Sequence, residues 1–214
     1  MIEWLKNTPG QPVARLLLAH GAGAPMDSDF MQAMAEGLCA RGIEVWRFEF
    51  PYMAERRQTG KKRPPNPAPR LLASFRAAIA IARNAEPALP LFIGGKSMGG
   101  RMATMLSNEP GLSGLVCLGY PFHPPGKPEK TRIEHLFELT RPCLIVQGSR
   151  DPMGSANEVE AYALPAQIHW DWLEDGNHDF KPRVKSGYRQ DDHWRSAQLA
   201  ATDFIKARAA GSIE

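Results

Sequence analysis

Gly95-Lys96-Ser97-Met98-Gly99 puts a serine midway between two glycines, after an apolar run and before a segment with helical character. That spacing suits a nucleophile. A serine raised on a sharp strand-to-helix turn crowds the positions two residues to either side, and glycine leaves both without side chains. Gly100 lets the helix lie close to the strand, and Met98 presents its backbone N–H near the helix N-terminus, where it can donate to a developing oxyanion. Lys96 reads as a solvent-facing spacer. The competing reading is a Gly-rich turn whose serine merely caps the helix.

A serine hydroxyl becomes nucleophilic when a base takes its proton and an anion holds that base in the right tautomer. Two later turns offer these groups: GSRDPMG carries Asp151 just past one apolar run, and EDGNHDF carries His178 just past the next. The order Ser97, Asp151, His178 has spacings of 54 and then 27 residues, room for a strand–helix unit each time. Asp151 before Pro152 could also serve only to start a turn. Asp175 and Asp179 are alternative acids, but they crowd His178 in its own loop, whereas His135, His169 and His193 fall in helical or strand segments and read as structural.

Upstream, His20-Gly21-Ala22-Gly23-Ala24-Pro25 leaves another apolar run. Such a turn exposes backbone N–H groups, and Ala22 is the candidate second oxyanion donor, with His20 as a loop-anchoring hydrogen-bond residue. Tyr120, Phe122 and His123 are candidates to line an acyl pocket, an equal alternative being a Pro-packed aromatic cluster.

These residues need a scaffold that brings distant turns together. Short apolar, β-rich runs at 13–19, 43–48, 91–94, 114–118, 143–147 and 167–173 alternate with helical periodicity, the pattern of a mostly parallel sheet with crossover helices. Helices are expected from Asp27 or Ser28 to Gly42, around Leu71 to Asn84, and through Trp194 to Ile205. The reading is an α/β fold with helices on both faces of the sheet, in one domain spanning residues 1–214. Nine of the 19 prolines fall in residues 51–70 and 120–130, which are therefore expected to be loops at the carboxyl edge of the sheet.

With 26 basic and 23 acidic residues the net charge is only +3, too small for a general trap for nucleic acid. Positive charge is instead local: Arg56, Arg57, Lys61, Lys62, Arg63 and Arg70 face only Glu55 within residues 51–70. This basic loop, 56–70, is a candidate surface for an anionic substrate group or a protein partner; it lacks aromatic residues after Tyr52 for stacking on bases. Cys39, Cys117 and Cys143 lie in apolar segments, which suits a reducing compartment, and no CxxC or Cys/His pair calls for a metal. No signal-peptide core or membrane span is read in the sequence, and a cytoplasmic location is expected.

Taken together, HGAGA, GGKSMGGR, QGSRDPMG and DGNHDF resemble the α/β-hydrolase superfamily, in particular its small dienelactone-hydrolase-like branch. They are also similar to the hydrolase-like core of NSL complex subunit 3. Ser97, Asp151 and His178 follow the superfamily's chain order of nucleophile, acid and base. Dienelactone hydrolases proper carry cysteine where this chain has Ser97, and no long helical insertion follows the sixth strand, so little or no cap is expected. The resemblance implies a cofactor-free serine hydrolase acting on a small ester, thioester or related acyl substrate. The alternative is a non-catalytic interaction module that keeps the fold.

Overall fold

Strands buried on both faces need apolar side chains at consecutive positions, because successive residues point to opposite sides of the sheet. Ala14–Ala19 (β2), Ile43–Phe48 (β3), Leu91–Lys96 (β4), Leu112–Leu118 (β5) and Cys143–Gly148 (β6) are buried along their length but for Ser113, and they are apolar except at Arg15, Glu44, Arg47, Lys96, Ser113 and Gln147. The computed structural model describes residues 2–210. In it these strands, with Trp4–Asn7 (β1) and Ile168–Leu173 (β7), form one seven-stranded sheet ordered β1-β3-β2-β4-β5-β6-β7. All neighbouring pairs are parallel except β1 with β3.

Helices cover the two faces. Asp29–Cys39 (α1) and Gln190–Ala210 (α6) pack Met31, Met34, Leu38, Ala197, Ala201 and Ile205 against Leu16, Leu18, Val116 and Val146. On the opposite face Pro51–Thr59 (α2), Ala68–Ala85 (α3), Met98–Thr104 (α4) and Ala156–Glu160 (α5) contribute Tyr52, Phe75, Met102 and Val159 to a core with Leu17, Ile93, Leu115 and Ile145. This is the α/β-hydrolase architecture expected from the sequence. Between β6 and β7 the only α-helix among the described residues is the five-residue α5, so no helical cap stands there.

Two elements differ from expectation. Residues 51–59 form a helix, not a loop: Pro51 stands at its first position, where a missing N–H costs nothing, and Gly60 closes it in the left-handed conformation with φ 71°. Only residues 60–67 are irregular. β1 was not anticipated. It is a four-residue edge strand whose Trp4 packs edge-on against Trp46 of β3, with ring centroids 5.2 Å apart.

The order of the strands decides where a site can form. From β2 the chain moves outward to β3 and then returns to pair β4 on the other side of β2, a topological switch point. Ala19 is in register with Gly95, so the turns leaving β2 and β4 emerge side by side at the carboxyl edge.

Candidate active site

Ser97 links β4 to α4 with φ 51° and ψ −114°, a conformation costing a non-glycine residue about 1–3 kcal/mol. Its N–H donates to the Leu118 carbonyl of β5 at 3.0 Å, which ties the elbow to the next strand. The flanking glycines are required by close approach: a Cβ on Gly95 would enter the Ala19 carbonyl and the backbone of Gly99 and Gly100, and one on Gly99 would enter the carbonyls of Ala19 and His20.

The turns after β6 and β7 meet this elbow. His178 Nε2 lies 2.8 Å from Ser97 Oγ, and His178 Nδ1 lies 2.6 Å from Asp151 Oδ2. With Nδ1–H donating to the carboxylate, Nε2 is left to accept the serine proton. Asp151 is wholly buried, and its charge is balanced by two further donors, Gln147 Nε2 at 2.9 Å and the Met153 N–H at 2.8 Å. The Gln147 amide also bridges Tyr120 and Gly154, accepting from the Tyr120 N–H and donating to the carbonyls of both residues, so the end of β6 fixes the loop that carries Asp151. The other two carboxylates of the region are engaged elsewhere: Asp175 is held by Arg183 and Arg150, and Asp179 faces Lys96.

Met98 occupies the first position of α4, where its N–H has no partner within the helix. Ala22 stands on the neighbouring turn and, like Met98, lines the cavity beside Ser97. His20 is buried and kept neutral by that burial; Nδ1–H donates to the Gly21 carbonyl at 2.7 Å and Nε2 accepts from the Phe50 N–H at 3.0 Å. Tyr52 Oη donates to the Ala22 carbonyl at 2.9 Å. In a trans peptide the N–H lies opposite the carbonyl, so anchoring the Gly21 oxygen on His20 turns the Ala22 N–H the other way.

The cavity encloses about 630 Å³. Phe30, Met31, Leu71, Met102, Pro125 and Met153 give it apolar walls. Tyr120, Phe122 and His123 are not among its lining, contrary to the expectation that they line an acyl pocket. Tyr120 and Phe122 are fully buried with ring centroids 4.7 Å apart, and His123 is tucked against the Pro124 carbonyl and Glu158. The cluster props up the loop, and Pro121 and Pro125 from the same segment reach the cavity instead.

Lys96 also departs from expectation. It is buried, not solvent-facing: its Nζ donates to the His178 carbonyl at 2.6 Å, stands 3.6 Å from Asp179 and lies 5.6 and 5.8 Å from the ring centroids of Phe30 and Phe180. Burial lowers its pKa to about 8 against the opposing pull of Asp179 and Asp151. Between about 8 and its ordinary 10.5 the unfolded chain binds more protons at this group than the folded one, so its contribution to stability rises with pH across that window. Below it, the buried charge weighs fully against folding. The melting temperature of Lys96→Met relative to the wild type should therefore be highest at pH 7.5 and decline by pH 10. A difference that stays constant across those melts would contradict the assignment.

The basic segment has its charges largely answered. Arg57 pairs with Asp27 and Glu49, Arg63 pairs with Glu55, and Arg56 donates to the Gly23 carbonyl, while Lys61 and Lys62 are exposed. Among the described residues no group of three or more His, Cys, Asp or Glu side chains could hold a metal ion, and no helix is long and apolar enough to cross a membrane.

A family profile described as an alpha/beta hydrolase domain matches residues 12–206. Among solved structures, the chain is similar to Est1E from Butyrivibrio proteoclasticus, with a TM-score of 0.74 at 14% identity over 98% of this chain and 95% of that one. A member of the α/β serine hydrolases without a lid from Xanthomonas campestris matches with a TM-score of 0.72 at 16% identity, covering 95% and 89% of the two chains. A dienelactone hydrolase from Anabaena variabilis matches with a TM-score of 0.70 at 18% identity, covering 97% and 90%.

Proposed function

Because the chain belongs to the alpha/beta hydrolase domain family, we propose that it is a serine hydrolase cleaving a small ester, thioester or related acyl substrate through an acyl-enzyme intermediate. The observation that carries this reading is the continuous hydrogen-bonded chain from Ser97 Oγ through His178 to the buried Asp151, at 2.8 and 2.6 Å. Ser97 Oγ attacks the acyl carbon as His178 Nε2 accepts its proton. Asp151 stabilises the imidazolium that forms and stays ionised. The N–H groups of Met98 and Ala22 receive the charge that develops on the carbonyl oxygen. His178 then returns the proton to the leaving alcohol or thiol, and water repeats the sequence on the acyl-serine.

Nothing in this scheme requires a cofactor, and the cavity is sized for a small acyl substrate. Cys39, Cys117 and Cys143 are free thiols, which supports a cytoplasmic location as part of the same reading. A rapid-mixing experiment with 4-nitrophenyl acetate tests it. The expected record is a burst of about one equivalent of nitrophenol followed by slower turnover, the signature of an accumulating acyl-enzyme. A folded protein that turns over no 4-nitrophenyl ester from acetate to octanoate would favour the interaction module instead.

A further inference from the structure

Resting on Ser97 as the nucleophile, we propose that Arg101 and Arg132 form an oxyanion-binding subsite that selects acyl substrates carrying a second, negatively charged group, a carboxylate or a phosphate. Both residues line the cavity that holds Ser97 and His178. Arg101 lies one helical turn beyond the nucleophile, its N–H donating to the Ser97 carbonyl at 3.0 Å, and side chains on a helix lean back toward its N-terminus. That places Arg101 on the side of α4 that faces the cavity.

Neither guanidinium forms an ion pair with a carboxylate among the described residues. Arg101 Nε is fully buried and has no hydrogen-bond partner among the described residues. Asp179, the one carboxylate in the lining, faces Lys96. Burial, and after it the neighbouring Arg101 charge, press the Arg132 guanidinium below its ordinary pKa. Two like charges drawn together without an anion weigh against folding, and an oxyanion between them would answer both through charge-assisted hydrogen bonds.

The backbone holds them together by design of the surrounding network. Thr104 Oγ1 donates to the Arg101 carbonyl at 2.8 Å, and the buried Tyr120 Oη donates to the Arg132 carbonyl at 2.9 Å. His135 Nε2 sits between those two hydroxyls, 3.0 Å from Thr104 and 3.2 Å from Tyr120. Burial and the Arg101 charge push the His135 pKa down to about 4, so the link is neutral and adds no third positive charge beside the guanidinium groups. Tyr120, expected to touch the substrate, instead positions a residue that does.

The test compares kcat/KM for 4-nitrophenyl hemiglutarate with 4-nitrophenyl pentanoate, which places the anion on the acyl side. The butyryl ester of 4-hydroxybenzoate against that of its methyl ester places it on the leaving group. In at least one pair the wild type should favour the anionic member, and Arg101→Gln/Arg132→Gln should lower that preference by about 10- to 100-fold, chiefly through KM, the range for hydrogen bonds to charged groups. Arg101→Lys/Arg132→Lys should retain part of it, and Lys61→Gln/Lys62→Gln, the same change of charge on the exposed segment, should leave it intact. Melting curves accompany each variant, and Arg132→Gln alone, on an irregular segment, serves if the double variant fails to fold. No anionic preference in either pair, or one that survives loss of both arginines, overturns the proposal.

Titration calorimetry on Ser97→Ala separates this outcome from failure of the hydrolase reading. If the wild type hydrolyses nothing, binding of glutarate or inorganic phosphate that disappears in Arg101→Gln/Arg132→Gln still supports the subsite. Absence of binding of both anions up to about 10 mM refutes it, that concentration corresponding to a Kd weaker than ordinary metabolite recognition.

Discussion

Ser97→Ala should abolish hydrolysis of any ester the wild type accepts, with kcat falling by about 10⁶, the scale seen where a nucleophile works as one unit with its base and acid. The effect is chemical, since the hydroxyl's hydrogen bond runs to His178 Nε2 and alanine accepts the same turn geometry with no additional bulk. Melting temperature should change by only a few degrees, because Gly95 and Gly99 give the elbow its room whichever side chain stands between them. Steady-state assays on extensively purified variant, with its melting curve alongside, provide the measurement. Residual turnover above about 1% of wild type would exclude Ser97 as the attacking group, because a loss on the scale above leaves far less.

Asp151→Asn should lower kcat by about 10⁴ while the protein stays folded. The carboxylate accepts from three donors, His178 Nδ1, Gln147 Nε2 and the Met153 N–H. An amide at this position offers only one acceptor oxygen and turns an N–H toward His178. The imidazole then carries its proton on Nε2, facing Ser97, and cannot take another. Some loss of stability accompanies the change, because buried donors around residue 151 lose part of their acceptor. Asp179→Asn, by contrast, should keep most of the activity, since that carboxylate faces Lys96 and is largely exposed. The reverse ranking of these two variants would reassign the acid.

The sheet was legible because its central strands are buried on both faces: an apolar run such as Leu16-Leu17-Leu18, too short for a buried helix and closed by the Gly-rich turn after it, reads as a strand. The elbow was legible for a steric reason, since Gly95 and Gly99 are positions where any side chain would strike backbone. The order of Ser97, Asp151 and His178 located three turns that the switch-point topology gathers at one edge. Other features leave no such trace. β1 has four residues, too few for alternation to register, and it is held by Trp4 against a distant strand. α2 was masked by Pro51, which excludes a helix interior but favours a helix start.

Side-chain direction was the harder matter. Lys96 has the composition of a surface residue, and its burial depends on a carbonyl at His178, 82 positions away, that only the folded chain supplies. Tyr120 and Phe122 sit in the expected loop, yet Phe122 stacks on Trp170 of β7 and Tyr120 packs against Phe122 within the core, outside the cavity lining. Gln147 was hidden inside a strand, although its amide holds the loop that carries Asp151. Arg101 and Arg132 lie 31 residues apart, and their common features, a place in the cavity lining and no carboxylate partner among the described residues, are properties of the fold and not of the string. The basic run at 56–63 drew attention for its density, but Asp27, Glu49 and Glu55 answer much of it.

Labelling with a fluorophosphonate probe, followed by peptide mapping, tests the central claim without a known substrate. Only a serine deprotonated by a neighbouring base and facing oxyanion donors reacts with such a probe at useful rates. The expected result is one covalent adduct per chain, on the peptide containing Ser97, lost in Ser97→Ala and strongly slowed in Asp151→Asn. A folded protein that remains unlabelled, or an adduct on any other serine, would contradict the assignment of Ser97, His178 and Asp151 as a catalytic unit.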